Sequence, residues 1–500
     1  MISQTIWTLL TIQILMGGLD TLFHHELTER LAWRPEQARE LRLHGVRNLI
    51  YAIVFATLGL SEPGGCFAMI LIALLVLEII ITLVDFVEED RSRRLPATER
   101  VLHSLLTLNY GIVLALLVPV LVGWAERPSE IVLVANGWLG AFLVVAGLGV
   151  AGFGIRDLLA AARCARLIET DPASLNDGLD KRQSILVTGG TGFVGKRLIA
   201  ALVSGGHDVT LLTRNPGQAL TLPMPLRIIT TLDQIGNEDR IDAIINLAGE
   251  PIANGLWTQT KRALILQSRI DVTAQIARLC ARLTRPPTVL INGSATGYYG
   301  VRKDGVCDEG EVAGSDFCAT VCAAWEAEAE RIAALGIRTV RLRIGLVLGR
   351  GGGMLANLLV PFELGLGGKI GSGNQVMSWI HRDDLVRLIV FCIARTDMVG
   401  AVNAVAPNPA TNAAFTKTLA TSLHRLAFIP VPTAPLLWAA GDLARELLLG
   451  GQIVLPVKAV FHGFGFRYPN LELALSECTG APATKPAANH SGLRRARLLT

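Results

Sequence analysis

Ser184-Ile-Leu-Val-Thr-Gly-Gly-Thr-Gly-Phe-Val-Gly195 is a short apolar strand that runs directly into glycines at 189, 192 and 195, and Lys196-Arg-Leu-Ile-Ala-Ala-Leu202 continues it as a helix. Strand, glycine turn and helix in that order predict the phosphate-gripping turn of a dinucleotide-binding α/β fold. Gly189 permits the tight turn, Gly192 lets the backbone approach a pyrophosphate, and Gly195 allows close packing of helix on strand. The helix N-terminus adds unpaired N–H groups and a positive dipole end. The turn's candidate cofactor contacts are therefore Gly189, Thr191, Gly192, Phe193, Val194 and Gly195.

The next strand, Asp208-Val-Thr-Leu-Leu-Thr213, selects the dinucleotide. NAD sites place a carboxylate near its end to meet the ribose 2′-hydroxyl, whereas a nearby Arg accommodates a 2′-phosphate. Here the strand runs into Thr213-Arg214-Asn215 with no carboxylate, so NADP(H) is expected over NAD(H), with Thr213 and Arg214 as contacts.

A chain of 500 residues exceeds one ordinary domain, and a mean hydropathy of +0.45 with 18% charged residues is too apolar for a purely soluble enzyme. The eight cysteines show no C-x-x-C pair or regular framework, which implies reduced thiols in a cytosolic compartment. The net charge of +4 comes from basic loops and tail, so no nucleic-acid partner is expected.

The apolar excess precedes residue 160. Runs near Ile2–Phe23, Val46–Leu60, Cys66–Val87, Leu105–Trp124 and Ile131–Phe153 predict an all-α transmembrane bundle embedded in a lipid bilayer; the second run is short for a span. No basic n-region precedes a small-residue cleavage site, so no removable signal peptide is expected. Arg30, Arg34, Arg39, Arg42 and Arg47 lie between the first two runs, Arg91, Arg93, Arg94 and Arg100 between the third and fourth, and the intervening loops carry only Arg127. The positive-inside rule then puts the N-terminus outside and the chain after Phe153 in the cytoplasm of a bacterial-type inner membrane, where the cofactor pool lies.

Asp20 and His24, Glu40 and His44, and Glu99 and His103 are each an acid followed four residues later by His, which puts both on one helix face. Glu78 and Asp85 sit inside the third run, where ionisable groups face a bundle interior or wet cavity. These residues fit either intramembrane ion pairs or a metal or quinone-type redox centre.

Residues 161–183 read as a linker. Strand and helix patterns then alternate: Leu226–Thr230, Ile241–Leu247, a helix from about Thr258 to Leu283, the strand Thr288–Asn292, a helix around Phe317–Leu335 and the strand Arg338–Ile344. Asn246, Leu247, Ala248 and Gly249 end the fourth strand, where small residues let the backbone run beside the cofactor ribose. The tail from about 476, with little apolar periodicity, is expected to be disordered.

Thr188–Gly195, Asn246-Leu-Ala-Gly249, Ser294-Ala-Thr-Gly-Tyr-Tyr-Gly300, Arg341-Leu-Arg-Ile-Gly-Leu-Val-Leu-Gly349 and Trp379-Ile-His-Arg-Asp-Asp-Leu385 resemble the extended short-chain dehydrogenase/reductases. Phe317-Cys-Ala-Thr-Val-Cys-Ala-Ala-Trp-Glu326 and Gly463-Phe-Gly-Phe-Arg-Tyr-Pro469 are similar to their atypical, sugar-nucleotide-epimerase-like branch. The resemblance covers about 184–475 and leaves the membrane region aside. It implies a Rossmann doubly wound parallel sheet over 184–400 and a smaller substrate domain over 401–475 that closes over the nicotinamide.

Typical members carry a Ser or Thr and a Tyr-x-x-x-Lys pair beside that ring. Here the corresponding helix reads Cys322-Ala-Ala-Trp-Glu326, a thiol for the phenol and a carboxylate for the ammonium. Glu326 would oppose a thiolate at Cys322, reversing the local electrostatics. Ser294 and Thr296 lie where the hydroxyl member belongs, although aligning on Tyr299-Gly300 puts Ala295 there, and Tyr298 offers a substitute phenol. Ser294, Thr296, Tyr298, Cys322 and Glu326 are the catalytic candidates. Two functions fit: a membrane-anchored oxidoreductase or epimerase-like enzyme of a small substrate, and a non-catalytic NADP(H) sensor read by the bundle or a protein partner.

Overall fold

The computed structural model describes residues 2–93, 95–167, 169–302 and 305–482, and the chain divides into two compact units, 1–168 and 169–500. In the first, the helices are α1 (Gln4–Asp20), continued as a π-helix over Thr21–Glu29, α2 (Ala38–Leu60), α3 (Cys66–Ser92), α4 (Ala97–Ala125) and α5 (Gly137–Cys164). All five are long and apolar enough to cross a membrane. The short second run is the end of a 23-residue helix whose first turns are polar but inward-facing, with Glu40 and His44 buried. The fifth run is split: Ile131–Leu133 forms β2, paired antiparallel with β1 (Ser61–Pro63), and the helix begins only at Gly137.

Helices α2 and α5 approach closely because glycines face each other. A Cβ on Gly140 would lie 2.6 Å from the Gly59 carbonyl oxygen, and one on Gly45 2.9 Å from that of Gly154. Leu58, Leu71, Leu117, Leu121, Trp124 and Leu143 fill the interior, while Leu15, Val87, Leu108 and Leu148 point outward and are more than 60% exposed.

The second unit contains β3 (Ser184–Thr188), α6 (Phe193–Ser204), β4 (Asp208–Leu212), α7 (Pro216–Ala219), β5 (Arg227–Ile229), β6 (Ala243–Asn246), α8 (Gln259–Arg282), β7 (Val289–Ala295), β8 (Val306–Cys307), α9 (Phe317–Ala333) and β9 (Arg338–Ile344). It continues through β10 (Leu346–Leu348), α10 (Gly353–Glu363), β11 (Val376–Met377), β12 (Trp379–His381), α11 (Arg382–Ala394) and β13 (Gly400–Ala404). Seven strands make one parallel sheet in the order β13-β9-β7-β6-β3-β4-β5. Reversal of strand order between β3 and β6 is the switch point of a Rossmann fold, and the glycine turn leaves β3 at that crevice. The sheet strands β3, β6 and β7 are almost wholly buried, as a sheet with helices on both faces requires.

Three expected boundaries move. The segment 161–183 is not a free linker: α5 runs to Cys164, and Leu175 and Leu179 are buried in the Rossmann core, where Arg467 donates to the Ser174 carbonyl. The sheet extends past 400, because β13 pairs with β9 and buries Val402 and Ala404. The expected tail begins too early at 476, since a helix over Leu471–Thr479 buries Cys478; residues 483–500 lie outside the described residues.

Candidate functional site

The glycine turn has the shape its sequence predicts. Gly189 has φ +72°, and a Cβ there would stand 2.6 Å from the Leu247 carbonyl; a Cβ on Gly195 would overlap the Gly189 carbonyl oxygen. Gly192 is exposed and is the N-cap of α6, with no side chain capping the helix, so its first turn is open to an anion. Thr191 is half-buried on the same turn. Phe193 and Val194 turn their side chains into protein: Phe193 packs beneath Gly349, Gly352 and Gly353, and Val194 packs on the sheet core. A cradle that side chains would fill, a bare helix N-terminus and a neighbouring free guanidinium fit a dinucleotide phosphate.

That guanidinium is Arg214, exposed beyond β4 and making no ion pair among the described residues. Thr213 is buried, its Oγ1 accepting from the Asn215 N–H at 3.2 Å. Asn246 ends β6, as expected, and its side chain turns into the sheet. Its side chain accepts from Thr188 Oγ1 at 2.6 Å and donates to Asn292 Oδ1 at 2.7 Å and Thr273 Oγ1 at 3.0 Å, so it ties three strands and α8 together inside the sheet. It braces the edge on which Leu247, Ala248 and Gly249 lie, and the Ala248 N–H donates to Thr188 Oγ1 at 3.3 Å. A Cβ on Gly249 would meet the guanidinium of Arg269, which stacks on Trp325, so this residue keeps a second cation beside the crevice.

The structure brings Ser294, Tyr298, Cys322 and Glu326 together, with a partner the sequence reasoning missed. Arg343, from β9, holds Glu326 in a buried bidentate pair at 2.9 and 3.0 Å. Ser294 Oγ donates to the same carboxylate at 2.7 Å. Arg343 thus supplies from a neighbouring strand a cation that the helix lacks and pairs it with Glu326, while Glu326 still opposes a thiolate at Cys322 as expected. Its guanidinium also donates to Tyr299 Oη at 3.0 Å and lies 3.5 Å from the Tyr298 ring centroid. Alternation of Arg341 and Arg343 on one face of β9, both toward the acids of α9, was the available signal.

Burial pushes the Cys322 thiol up to about 11, and the Glu326 carboxylate acts in the same direction. Near neutral pH Cys322 is therefore a protonated, buried thiol. Thr296 is buried, and its carbonyl accepts from Gln452 Nε2 at 2.9 Å. Tyr299 donates to Asn403 Oδ1 at 2.6 Å, and burial pushes its hydroxyl up to about 12. Tyr298, half-buried, makes no hydrogen bond through its hydroxyl among the described residues.

His381 and Asp383 brace the site. The Asp383 N–H donates to His381 Nδ1 at 3.2 Å, leaving Nε2 to donate to Glu477 at 3.0 Å, while the Asp383 carboxylate grips Arg197 of α6 at 2.8 and 2.9 Å. Beside His381 and Arg350, Glu477 is held down to about 2 although burial opposes this. Trp379 is buried in β12 and donates to the Asn408 carbonyl.

Residues 185–405 match the NAD dependent epimerase/dehydratase family, and residues 431–478 match a domain of unknown function, DUF1731. The chain is 39% identical over 298 residues to the human epimerase family protein SDR39U1, covering 59% of this chain and 98% of that protein. It is 37% identical to the epimerase family protein YfhF of Bacillus subtilis, over 59% of this chain and 97% of the relative. A crystal structure of human SDR39U1 with NADPH superposes with a TM-score of 0.53 at 35% identity, covering 59% of this chain and 99% of that one.

Proposed function

This chain belongs to the NAD dependent epimerase/dehydratase family, and from that premise we propose that it is a membrane-anchored, NADP(H)-dependent oxidoreductase or epimerase-like enzyme of a small carbonyl or alcohol substrate. The observation that carries the catalytic reading is the Tyr298 hydroxyl. Among the described residues it makes no hydrogen bond, and it follows Ser294 just past the C-terminal end of β7, while the neighbouring Tyr299 is committed to Asn403 and Arg343.

The glycine turn and Arg214 would hold the pyrophosphate and 2′-phosphate. When bound, the nicotinamide supplies or accepts the hydride. Tyr298 then exchanges the proton on the substrate oxygen, and the guanidinium of Arg343 against its ring favours the phenolate as it forms. Glu326 is a positioning residue that fixes Arg343 and the Ser294 hydroxyl, and Cys322 packs the floor of the site without carrying charge.

Outward-facing apolar side chains on all five N-terminal helices support bilayer insertion, and the arginine-rich first and third loops support a cytosolic Rossmann unit. A second reading, a non-catalytic NADP(H) sensor, is favoured by the mutual pairing of Ser294, Glu326 and Arg343 and by the protonated Cys322.

NADPH consumption against a panel of aldehydes and ketones separates the two. Tyr298→Phe is expected to lower turnover by about 10²-fold or more with NADPH affinity unchanged, the usual scale for general acid–base catalysis, while Cys322→Ala keeps both. Full activity in Tyr298→Phe removes Tyr298. Absence of turnover across the panel, with Gly192→Val still abolishing a cellular phenotype, establishes the sensor.

A further inference from the structure

The N-terminal unit holds a buried polar cluster that the Rossmann chemistry does not use. Asp20, His25, Glu99 and His103 each offer one ligand atom, and these atoms all lie within 4.8 Å of one another. They come from the end of α1, the π-helical turn after it and the start of α4. Asp20, His25 and Glu99 are buried and His103 nearly so.

The spacing is close to that of a coordination shell, within a few tenths of an ångström for the three shortest pairs. His25 Nε2 is 3.5 Å from Asp20 Oδ2 and 3.6 Å from Glu99 Oε1, and His103 Nε2 is 3.1 Å from Asp20 Oδ2. Ligand atoms about 2.1 Å from a shared ion stand about 3.0–3.4 Å apart in octahedral or tetrahedral geometry. His25 Nε2 is also buried without a hydrogen bond, although its residue is more than nine-tenths buried and two carboxylate oxygens lie 3.5 and 3.6 Å away.

The next layer is arranged as metal ligands require. His103 turns its other ring nitrogen to Glu89 Oε2 at 3.4 Å, and His24 Nδ1 donates to the second oxygen of Asp20 at 2.8 Å. Arg93 holds Glu99 at 2.7 Å and Glu40 at 3.0 Å, and Arg47 holds Asp85 at 2.8 Å. Around His25 the five carboxylates of Asp20, Glu40, Asp85, Glu89 and Glu99 thus face the two guanidinium groups of Arg47 and Arg93. The carboxylates thus outnumber the guanidinium groups by three, an excess that a bound cation would offset.

We propose that Asp20, His25, Glu99 and His103 bind one divalent transition-metal ion. A mixed imidazole and carboxylate set favours zinc, iron, manganese or cobalt over calcium or magnesium, which take oxygen alone. The π-helical segment supports the assignment, because its wider turn lets the adjacent His24 and His25 both face the cluster, one supporting Asp20 and the other ligating. A cavity of about 340 Å³, lined by Asp20, His25, His44, Arg47, Tyr110 and His103 among others, opens on the site and gives the ion a face for an exogenous ligand.

The test uses the full chain, without a histidine tag, purified in detergent, stripped with a chelator and dialysed against Co²⁺, Zn²⁺ or Mn²⁺. About one ion per chain is expected by elemental analysis, and Co²⁺ should give visible ligand-field bands. His25→Ala and His103→Ala should each weaken retention about 100-fold or more, while His424→Ala, at an exposed site in the other unit, keeps it. Substoichiometric retention of every ion by the parent protein, with no Co²⁺ bands, overturns the proposal and leaves protonated histidines as the balancing charge. Unchanged retention in either folded variant overturns it as well. Where a variant fails to elute as the parent does on gel filtration, the parent's Co²⁺ spectrum and stoichiometry decide alone.

Discussion

Replacing Arg343 by Met tests the idea that a strand-borne guanidinium stands in for the missing helical cation. The substitution keeps a long apolar stem but removes two hydrogen bonds to Glu326 at 2.9 and 3.0 Å, one to Tyr299 at 3.0 Å and one to the Glu309 carbonyl at 3.3 Å. Glu326, 3% exposed, would keep the Ser294 hydroxyl at 2.7 Å and the Arg341 guanidinium at 3.6 Å. Removing one member of a buried pair costs about 3–5 kcal/mol, because the remaining charge stays desolvated. At about 2 °C per kcal/mol, the low end of the range for large units, the unfolding midpoint of the Rossmann unit should fall by about 6–10 °C. Arg343→Met with Glu326→Leu removes the orphaned carboxylate and should recover most of that loss, which a thermal melt of the four members of the cycle measures. A drop near 1 °C for Arg343→Met, or a double variant as unstable as the sum of the singles, would refute the coupling.

Three other outcomes are expected. Arg214→Ala should weaken NADPH binding by about 1–3 kcal/mol in a fluorescence titration and leave NADH unchanged; equal losses remove the 2′-phosphate contact. Reporter fusions after Asp171 should behave as cytoplasmic and those near Pro63 as external, and the reverse pattern overturns the orientation. Glu477 is held to about 2 against an ordinary 4.5, so its contribution to stability is complete above about pH 4.5 and is lost as pH falls toward 2; Glu477→Gln should flatten that part of a melting-temperature profile, and an unchanged acid limb counts against the pairing.

The Rossmann sheet was legible because its signals are local: one apolar strand, three glycines and a helix in order, then alternating patterns with short connections. The site was legible only where its residues are neighbours in sequence. Ser294 and Tyr298 sit at one strand end and Cys322 and Glu326 on one helix turn, but Arg343 meets Glu326 only after β9 is laid against β7. The bracing role of the Asn246 side chain was not legible, because a strand-end position does not reveal which way a side chain turns. In the bundle, four-residue spacing found Asp20 with His24, which do bond. Glu40 and Glu99 instead share Arg93, and His44 and His103 cross to Asp85 and Asp20. His25 escaped because counting at 3.6 residues per turn fails where the helix widens.

The chain of contacts from Arg197 through Asp383 and His381 to Glu477 joins the helix that begins at the glycine turn to the last helix described. Each link is buried or nearly so and each is polar, so it holds one geometry rather than a continuum. Thermodynamic reciprocity then applies to its two ends. A ligand that bound the Leu471–Thr479 helix and shifted it through these contacts would alter dinucleotide affinity by the same factor by which the dinucleotide altered its own. Where that helix takes a second position, dinucleotide occupancy and the state of the C-terminal domain become coupled variables, and a binding constant measured for either belongs to a stated condition of the other.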